Sequence, residues 1–340
     1  MKALLKFEAL LSDLSARFVN LPPEAVDREI KSALKAILDF FRVDRAGLVR
    51  VMPEKKSFQV THAVYSDQVP PVPVGVELSI AIHPWAHEKL IGKREVVAFS
   101  RIDDLPPEAE VDRKIWAEWG IRSEVDIPLL VGEPFGHIIS INSVTQERVW
   151  PAELFPRLQL LGEIFVNALE RKRSQLELEE RLQFERFISD LSARFVCIAA
   201  DGVGDEITSW LQRVTEFFRV DRASLGLFSA DGNRLDLAFE YHMDGVEPAP
   251  AAITREQAPW YLKQLTQEEP IVLERLGDLP ADAEKEKHIF RTRNMKSLLS
   301  IPMSSGKKIL GSFVLVSTRS ERAWPGALVQ RFRLITAVFA

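Results

Sequence analysis

The chain has 340 residues, of which 46% are hydrophobic and 27% are charged, a composition that is typical of globular proteins and excludes general disorder. Its formal net charge of −5 disfavours a nucleic acid as the main partner, because such binding needs a clustered basic surface. No apolar run approaches the roughly 20 residues of a membrane span, so a cytoplasmic protein is expected. The single cysteine, Cys197, excludes an internal disulfide and a cysteine-built metal site.

The main pattern in the sequence is an internal duplication. The segment FEALLSDLSARFV at Phe7 returns as FERFISDLSARFV at Phe184, and FFRVDRA at Phe40 returns at Phe217 with the same spacing. Shorter pairs continue the match: Pro84-Trp85 with Pro259-Trp260, and Trp150-Pro151 with Trp324-Pro325. The period is far longer than the roughly 20–50 residues of solenoids and propellers. Two copies of a whole domain are therefore predicted, 1–170 with an N-terminal helix and 184–340, in line with the usual domain size.

Each copy predicts the same elements in chain order: two helices, a strand pair, a helix, a short strand, a helix, a second strand pair and a final helix. Helical periodicity through Leu10, Leu14 and Phe18 predicts the first helix, and Pro22-Pro23 introduces the second. The runs AGLVRVM and FQVTHAVYS predict a first hairpin. The runs EVDIPLL and FGHIISINSV predict a second one, turning at Gly132 to Pro134. The expected fold class is α+β, with a central antiparallel sheet and helices on both faces in each domain.

Residues 158–195 contain no proline and a single glycine, and they predict one long helix that connects the two copies. At about 1.5 Å per residue this helix would exceed 50 Å, so one small domain would leave part of its apolar stripe uncovered. A homodimer through the terminal and connecting helices is therefore predicted. The alternative is a bent helix pair that packs within one chain.

The segments FFRVDRAGLVRV and FFRVDRASLGLF, the closing hairpins and the Trp-Pro before each final helix together resemble the GAF family of sensory domains. The resemblance covers about residues 20–170 and 197–340. It implies a sheet with a helix bundle on one side and a small-molecule pocket roofed by the middle helices on the other. It also implies a position upstream of an output domain such as a histidine kinase, as in two-component systems.

The resemblance directs attention to a set of pocket residues in the first copy. If the family layout holds, the pocket is surrounded by Tyr65, Trp85, Trp116, Trp119, Asp126 and Asn142. The alternative is that Trp85 and Trp116 only fill space, which the recurrence of Trp85 as Trp260 supports. No cofactor is identified. The NKFDE pattern of cyclic-nucleotide GAF domains is absent, and so is a cysteine near the pocket helices, which bilin attachment needs.

The histidines do not predict a metal site. His83 and His87 have the i, i+4 spacing of a helical ligand pair, but Pro84 places His83 at or before the helix start. The second copy has Ala258 and Leu262 there, so a solvated or capping role is expected for both histidines. His137 is expected to face outward from its strand.

The sequence offers no catalytic apparatus: no GxSxG elbow, Walker sequence or GxGxxG occurs. A GAF-type methionine-sulfoxide reductase would need several cysteines. The prediction is a non-catalytic sensory tandem that binds a small molecule in at least one domain and signals through dimer helices to an output domain. Because the second copy ends at LITAVFA within a helix, that output domain is expected outside this sequence. The alternative is a ligand-free dimerisation module.

Overall fold

The computed structural model describes residues 2–129, 131, 136–197, 202–306 and 308–340. The turn expected at Gly132 to Pro134 and the side chain of Cys197 lie outside the described residues. The chain separates into two compact units, Met1–Glu179 and Glu180–Ala340. Within the described ranges, no helix is both long and apolar enough to cross a membrane.

The first unit is built around one six-stranded antiparallel sheet with the strand order β3-β2-β1-β6-β5-β4. Its helices are α1 Lys2–Phe18, α2 Val26–Phe41, α3 Pro84–His87 and α4 Glu110–Glu118. Its strands are β1 Arg45–Met52, β2 Ser57–Tyr65, β3 Glu77–Ser79, β4 Val97–Phe99, β5 Ser123–Leu129 and β6 His137–Ser143. A π-helical turn over Glu88–Gly92 continues α3.

A single helix, α5, runs over Phe155–Cys197, where the sequence predicts a helix over 158–195. In the first unit its buried residues Leu158, Leu161 and Phe165 share a core with α1, α2 and one face of the sheet. Gly162 allows a close approach to that face, since a Cβ added there would lie 2.6 Å from Leu129 Cδ1. The opposite face of the sheet packs against α3 and α4 in a second core that contains Trp116, Leu90 and Ile138.

The second unit repeats this architecture. Its sheet has the order β10-β11-β12-β7-β8-β9, which read backwards is the order of the first sheet. Its strands are β7 Arg222–Phe228, β8 Arg234–His242, β9 Ala252–Thr254, β10 Ile271–Leu273, β11 Ser297–Ser305 and β12 Lys308–Ser317. Its helices are α6 Val203–Phe218, α7 Pro259–Leu265, α8 Glu284–Thr292 and α9 Gly326–Phe339. Strand register therefore defines equivalent positions in the two units.

The aspartate of the repeated VDRA motif stabilises a loop after the closing hairpin of each unit. Asp44 Oδ2 accepts hydrogen bonds from the backbone N–H groups of Val144 and Thr145, both at 2.8 Å, and from Ser143 Oγ at 3.0 Å. Burial alone would raise the pKa of Asp44, but these hydrogen bonds together lower it below 3.8. Asp221 accepts the equivalent bond from the N–H of Thr318 at 2.6 Å. The recurrence of this aspartate thus has a structural cause.

Candidate functional site

The first unit contains a cavity of about 130 Å³ between its sheet and the helices α3 and α4. Five of the six residues that the sequence singles out line it: Tyr65, Trp116, Trp119, Asp126 and Asn142. They come from four separate parts of the chain, namely β2, the end of α4, β5 and β6, so the fold assembles them. The cavity has an apolar aromatic roof and a polar floor on the sheet.

Trp85, the sixth predicted residue, does not line the cavity. Its side chain is half-buried against the neighbouring core, and its backbone N–H donates to Asp112 Oδ2 at 3.2 Å. In the second unit the N–H of Trp260 donates to Glu286 Oε1 at 2.8 Å. The recurring Pro-Trp pair therefore belongs to the start of a short helix that a buried carboxyl group caps.

The roof of the cavity is aromatic. Trp116 on α4 is buried, and the ring of His83 lies 5.2 Å from the rings of both Trp116 and Trp119, measured between centroids. Burial lowers the pKa of His83 to about 4, so its imidazole is neutral at physiological pH. The pKa of His87 is also lowered by burial. These rings give the roof of the cavity an aromatic lining.

The two roof histidines correct a prediction from the sequence. His83 occupies the N-cap position of α3, which begins at Pro84, but its side chain makes no capping hydrogen bond. Both histidine side chains are half-buried and line the cavity. The expectation that His137 faces outward is also wrong. Its side chain is only 6% exposed, on the sheet face opposite the cavity, and burial lowers its pKa to about 4. Among the described residues, no group of three potential ligands forms a metal site.

The floor of the cavity carries two carboxyl groups. Glu124 and Asp126 lie two residues apart on β5 and therefore point to the same face of the sheet. Strand pairing places Asn142 beside Glu124 and Ser140 beside Asp126. Ser140 Oγ donates to Glu124 Oε1 at 3.0 Å. Sequence analysis missed Glu124, although strand alternation from Asp126 indicates it.

Several buried polar atoms around this floor have no hydrogen-bond partner among the described residues. The acceptors are Glu124 Oε2, Asp126 Oδ1 and Asn142 Oδ1. All three side chains are less than a tenth exposed, with relative exposures of 4%, 8% and 8%. Burying an unpaired polar atom costs free energy, so such atoms are normally satisfied in proteins. Their convergence on one cavity is typical of a binding site.

The cavity also contains one permanent cation, Arg45 of β1, which sequence analysis missed. Its guanidinium donates to the carbonyl oxygens of Trp119 and Pro70 at 3.4 and 3.5 Å, while its Nε has no partner among the described residues. The motif FFRVDRA could have indicated it, because Arg222 recurs at the equivalent position and lines the cavity of the second unit.

Burial strongly affects the acidity of the floor. Desolvation first, and repulsion from Asp126 second, raise the pKa of Glu124 well above 4.5. Desolvation also raises the pKa of Asp126, to about 6. The two groups interact directly, so they titrate as a pair. The pair therefore binds a proton more tightly than isolated carboxyl groups do, and a positively charged ligand could displace that proton.

The second unit has a smaller cavity of about 60 Å³ in the corresponding place. Tyr261 occupies the position of Ala86, and its hydroxyl lies 2.9 Å from Ser300 Oγ. By strand register, Leu298 replaces Glu124, Ser300 replaces Asp126 and Val316 replaces Asn142. The two carboxyl groups and the amide of the first floor therefore have no counterparts at these positions of the second unit.

Comparison with known proteins finds a family match within the second unit. Residues 207–340 match the family model of the GAF domain. A search of curated proteins finds no match. A bacteriophytochrome from the photosynthetic bacterium R. palustris aligns with TM-score 0.59 and 10% identity over 98% of this chain and 75% of its own. The phycocyanobilin-bound GAF domain of a cyanobacterial phytochrome aligns with TM-score 0.42 and 16% identity, over 50% of this chain and 96% of its own. The bacteriophytochrome shares the fold, and at that identity the similarity extends no further.

Proposed function

We propose that this chain is a non-catalytic sensory module in which the cavity of the first unit binds a small molecule. The observation that carries the proposal is the convergence of Glu124, Asp126 and Asn142, each with an unpartnered buried oxygen, beneath an aromatic roof. The GAF match of the second unit and the shared strand order support a tandem of two sensory domains.

The two units have different roles in this proposal. The first unit recognises the ligand, because only its cavity has the carboxyl floor. The second retains the fold with its cavity largely filled by Tyr261, which is 3% exposed. In this proposal the second unit packs against the helices and does not recognise the ligand.

Strand alternation supplies a route by which binding affects α5. Glu124 and Asp126 face the ligand cavity. The alternating residues of the same strand, Val125 and Ile127, pack in the core that contains α5. A ligand that shifts β5 would thus change the surface on which α5 rests. This coupling requires two packings of the helix with different ligand affinities. The proposed recipient is an output domain outside this sequence, such as a histidine kinase.

A second candidate function is a ligand-free dimerisation module of a cytoplasmic signalling protein. It is favoured by the filled second cavity and by apolar side chains exposed on α5, namely Leu176, Leu178 and Leu182 at 44%, 55% and 42%. A homodimer through these helices is compatible with either function.

Light scattering of the wild type and of Leu178→Glu tests the dimer. The proposal predicts twice the chain mass for the wild type and a lower mass for the variant.

Native mass spectrometry tests ligand binding. The purified chain is measured beside the same sample after denaturation, following dialysis against a small-molecule extract of cells. The proposal predicts extra mass on the wild type and none on Ala86→Tyr, which fills the first cavity as Tyr261 fills the second. Equal extra mass on both proteins, or none on either, overturns binding in the first cavity. A dimer without added mass would then favour the dimerisation module.

A further inference from the structure

We infer that the ligand of the first cavity is a small planar cation with clustered N–H donors, such as an amidine, a guanidine or a protonated amino-heteroaromatic compound. The inference rests on the proposed function and specifies its ligand class. It follows from the charges, the unpaired atoms and the aromatic lining of the cavity.

With both carboxyl groups ionised, the cavity contains one positive charge and two negative charges. The ionisable side chains that line it are Arg45 from β1, Tyr65 from β2, His83 and His87 from the start and end of α3, and Glu124 and Asp126 from β5. Outside the lining, Asp112 lies 3.8 Å from His83. The lowered pKa values of both histidines and the raised pKa of Tyr65 keep these three groups neutral at pH 8. One cation therefore faces two carboxyl groups, and a monocationic ligand would balance both in their ionised forms.

The unpaired atoms on the floor are mostly acceptors. Glu124 Oε2, Asp126 Oδ1 and Asn142 Oδ1 lack partners among the described residues. A ligand that carries several N–H groups on one edge would satisfy these oxygens at once. Hydrogen bonds between a cationic donor and a carboxylate are the strongest of this kind, and amidinium and guanidinium groups present two parallel donors.

The aromatic lining of the cavity favours a planar cation. The rings of Trp116, Trp119 and His83 line the roof, with that of His83 inclined by 34° to Trp116 and by 74° to Trp119, and a planar cation gains further attraction from the face of a tryptophan. An anionic ligand is disfavoured because it would face both carboxyl groups. The guanidinium of Arg45 is partly engaged already by the carbonyl groups of Trp119 and Pro70.

Three compounds of nearly the same shape test the inference: benzamidine, a cation; benzamide, which is neutral; and benzoate, an anion. Their affinities for the full chain are measured by calorimetry at pH 8 and pH 5. We expect benzamidine to bind at least about ten-fold tighter than the other two, because its charge is paired inside a buried site. We also expect its affinity to fall at pH 5, where Asp126 is protonated, since its pKa is about 6.

Isosteric variants test whether Glu124 and Asp126 are the groups that bind benzamidine. Glu124→Gln and Asp126→Asn should each weaken benzamidine binding at least about ten-fold and flatten its pH dependence, since each removes one ionisable partner. Ser300→Ala, at the equivalent position in the second unit, should leave binding unchanged. The wild-type pH profile is an independent readout if a variant fails to fold.

Three results would overturn the inference: benzamide or benzoate binding as tightly as benzamidine, benzamidine affinity that does not change between the two pH values, or no binding of any of the three. The native mass spectra then separate the two proposals. A neutral or anionic molecule found on the wild type and lost in Ala86→Tyr would leave the sensory function intact and remove only the ligand class.

Discussion

Tyr261 of the second unit stands at the position that Ala86 holds in the first, and the backbone N–H of each donates to a buried carboxyl oxygen, that of Glu286 or Asp112. The exchange of a methyl group for a phenol accounts for much of the difference between cavities of about 60 and 130 Å³. The size of this one side chain thus distinguishes the more filled cavity from the more open one.

Replacing Tyr261 by Ala should destabilise the second unit by about 3 to 5 kcal/mol, the range for large-to-small changes of a buried aromatic side chain. The change also removes the hydroxyl contact with Ser300 Oγ at 2.9 Å. Urea unfolding followed by tryptophan fluorescence measures the loss. A matched control is Tyr261→Phe, which keeps the ring and should cost only about 1 kcal/mol. Equal stability of the Ala variant and the wild type would show that the ring does not fill this core.

Asp126→Asn should change how stability depends on pH. The pKa of Asp126 is about 6 in the fold, against 3.8 for an ordinary aspartate, so the folded state holds the proton more tightly than the unfolded chain does. This contribution is fully present below pH 3.8 and is lost as the pH rises through about 6. The wild type should therefore lose up to about 3 kcal/mol between these limits.

The Asn variant cannot titrate at this position and should be more stable than the wild type at pH 8 in the absence of ligand. Urea midpoints at pH 4.5 and pH 8 for both proteins measure the difference. A variant that is less stable than the wild type at pH 8, with an unchanged pH slope, would show that Asp126 is ionised and well solvated in the fold.

Asp44→Ala should destabilise the first unit by about 2 to 4 kcal/mol, because the loop after β6 loses a buried, charged acceptor. Two backbone donors, the N–H groups of Val144 and Thr145, would lose their partner. The control is Asp39→Ala, which removes an exposed ion pair with Lys35 and should cost less than about 1 kcal/mol. Equal small effects of the two changes would argue against the role of Asp44.

Gly162→Ala should destabilise the first unit although alanine favours helices. The added Cβ would lie 2.6 Å from Leu129 Cδ1 and 2.8 Å from Ile139 Cδ1, both in buried side chains. Overpacking of this kind costs about 1 to 3 kcal/mol, against a helix gain of about 1 kcal/mol. Gly326→Ala at the start of α9, where an added Cβ meets no atom within 4 Å, is the control and should be neutral or stabilising.

Much of the fold followed from the sequence because hydrophobic periodicity and turn residues are local signals. The long helix, the paired hairpins and the start of α3 at Pro84 all appear near the positions that these signals indicate. The short edge strands β3 and β9 were missed, since three residues carry too little periodicity to be recognised.

The site was harder to predict because side-chain direction depends on tertiary packing. Tyr65, Trp116 and Asn142 do line the cavity. The side chain of Trp85 packs against the neighbouring core instead. Arg45 belongs to the repeated motif FFRVDRA, but the repeat alone does not show which of its side chains face a cavity. Whether the residues that line the cavity bind a ligand stays a prediction.

Hydrogen–deuterium exchange on the full chain tests the central claim most directly. The rates are compared after dialysis against a small-molecule extract of cells and after exhaustive dialysis into buffer. The account predicts slower exchange over α3, α4 and β5 in the presence of the extract, and unchanged exchange over the equivalent α7, α8 and β11. Protection of both units alike, or of the second alone, would contradict recognition by the first cavity.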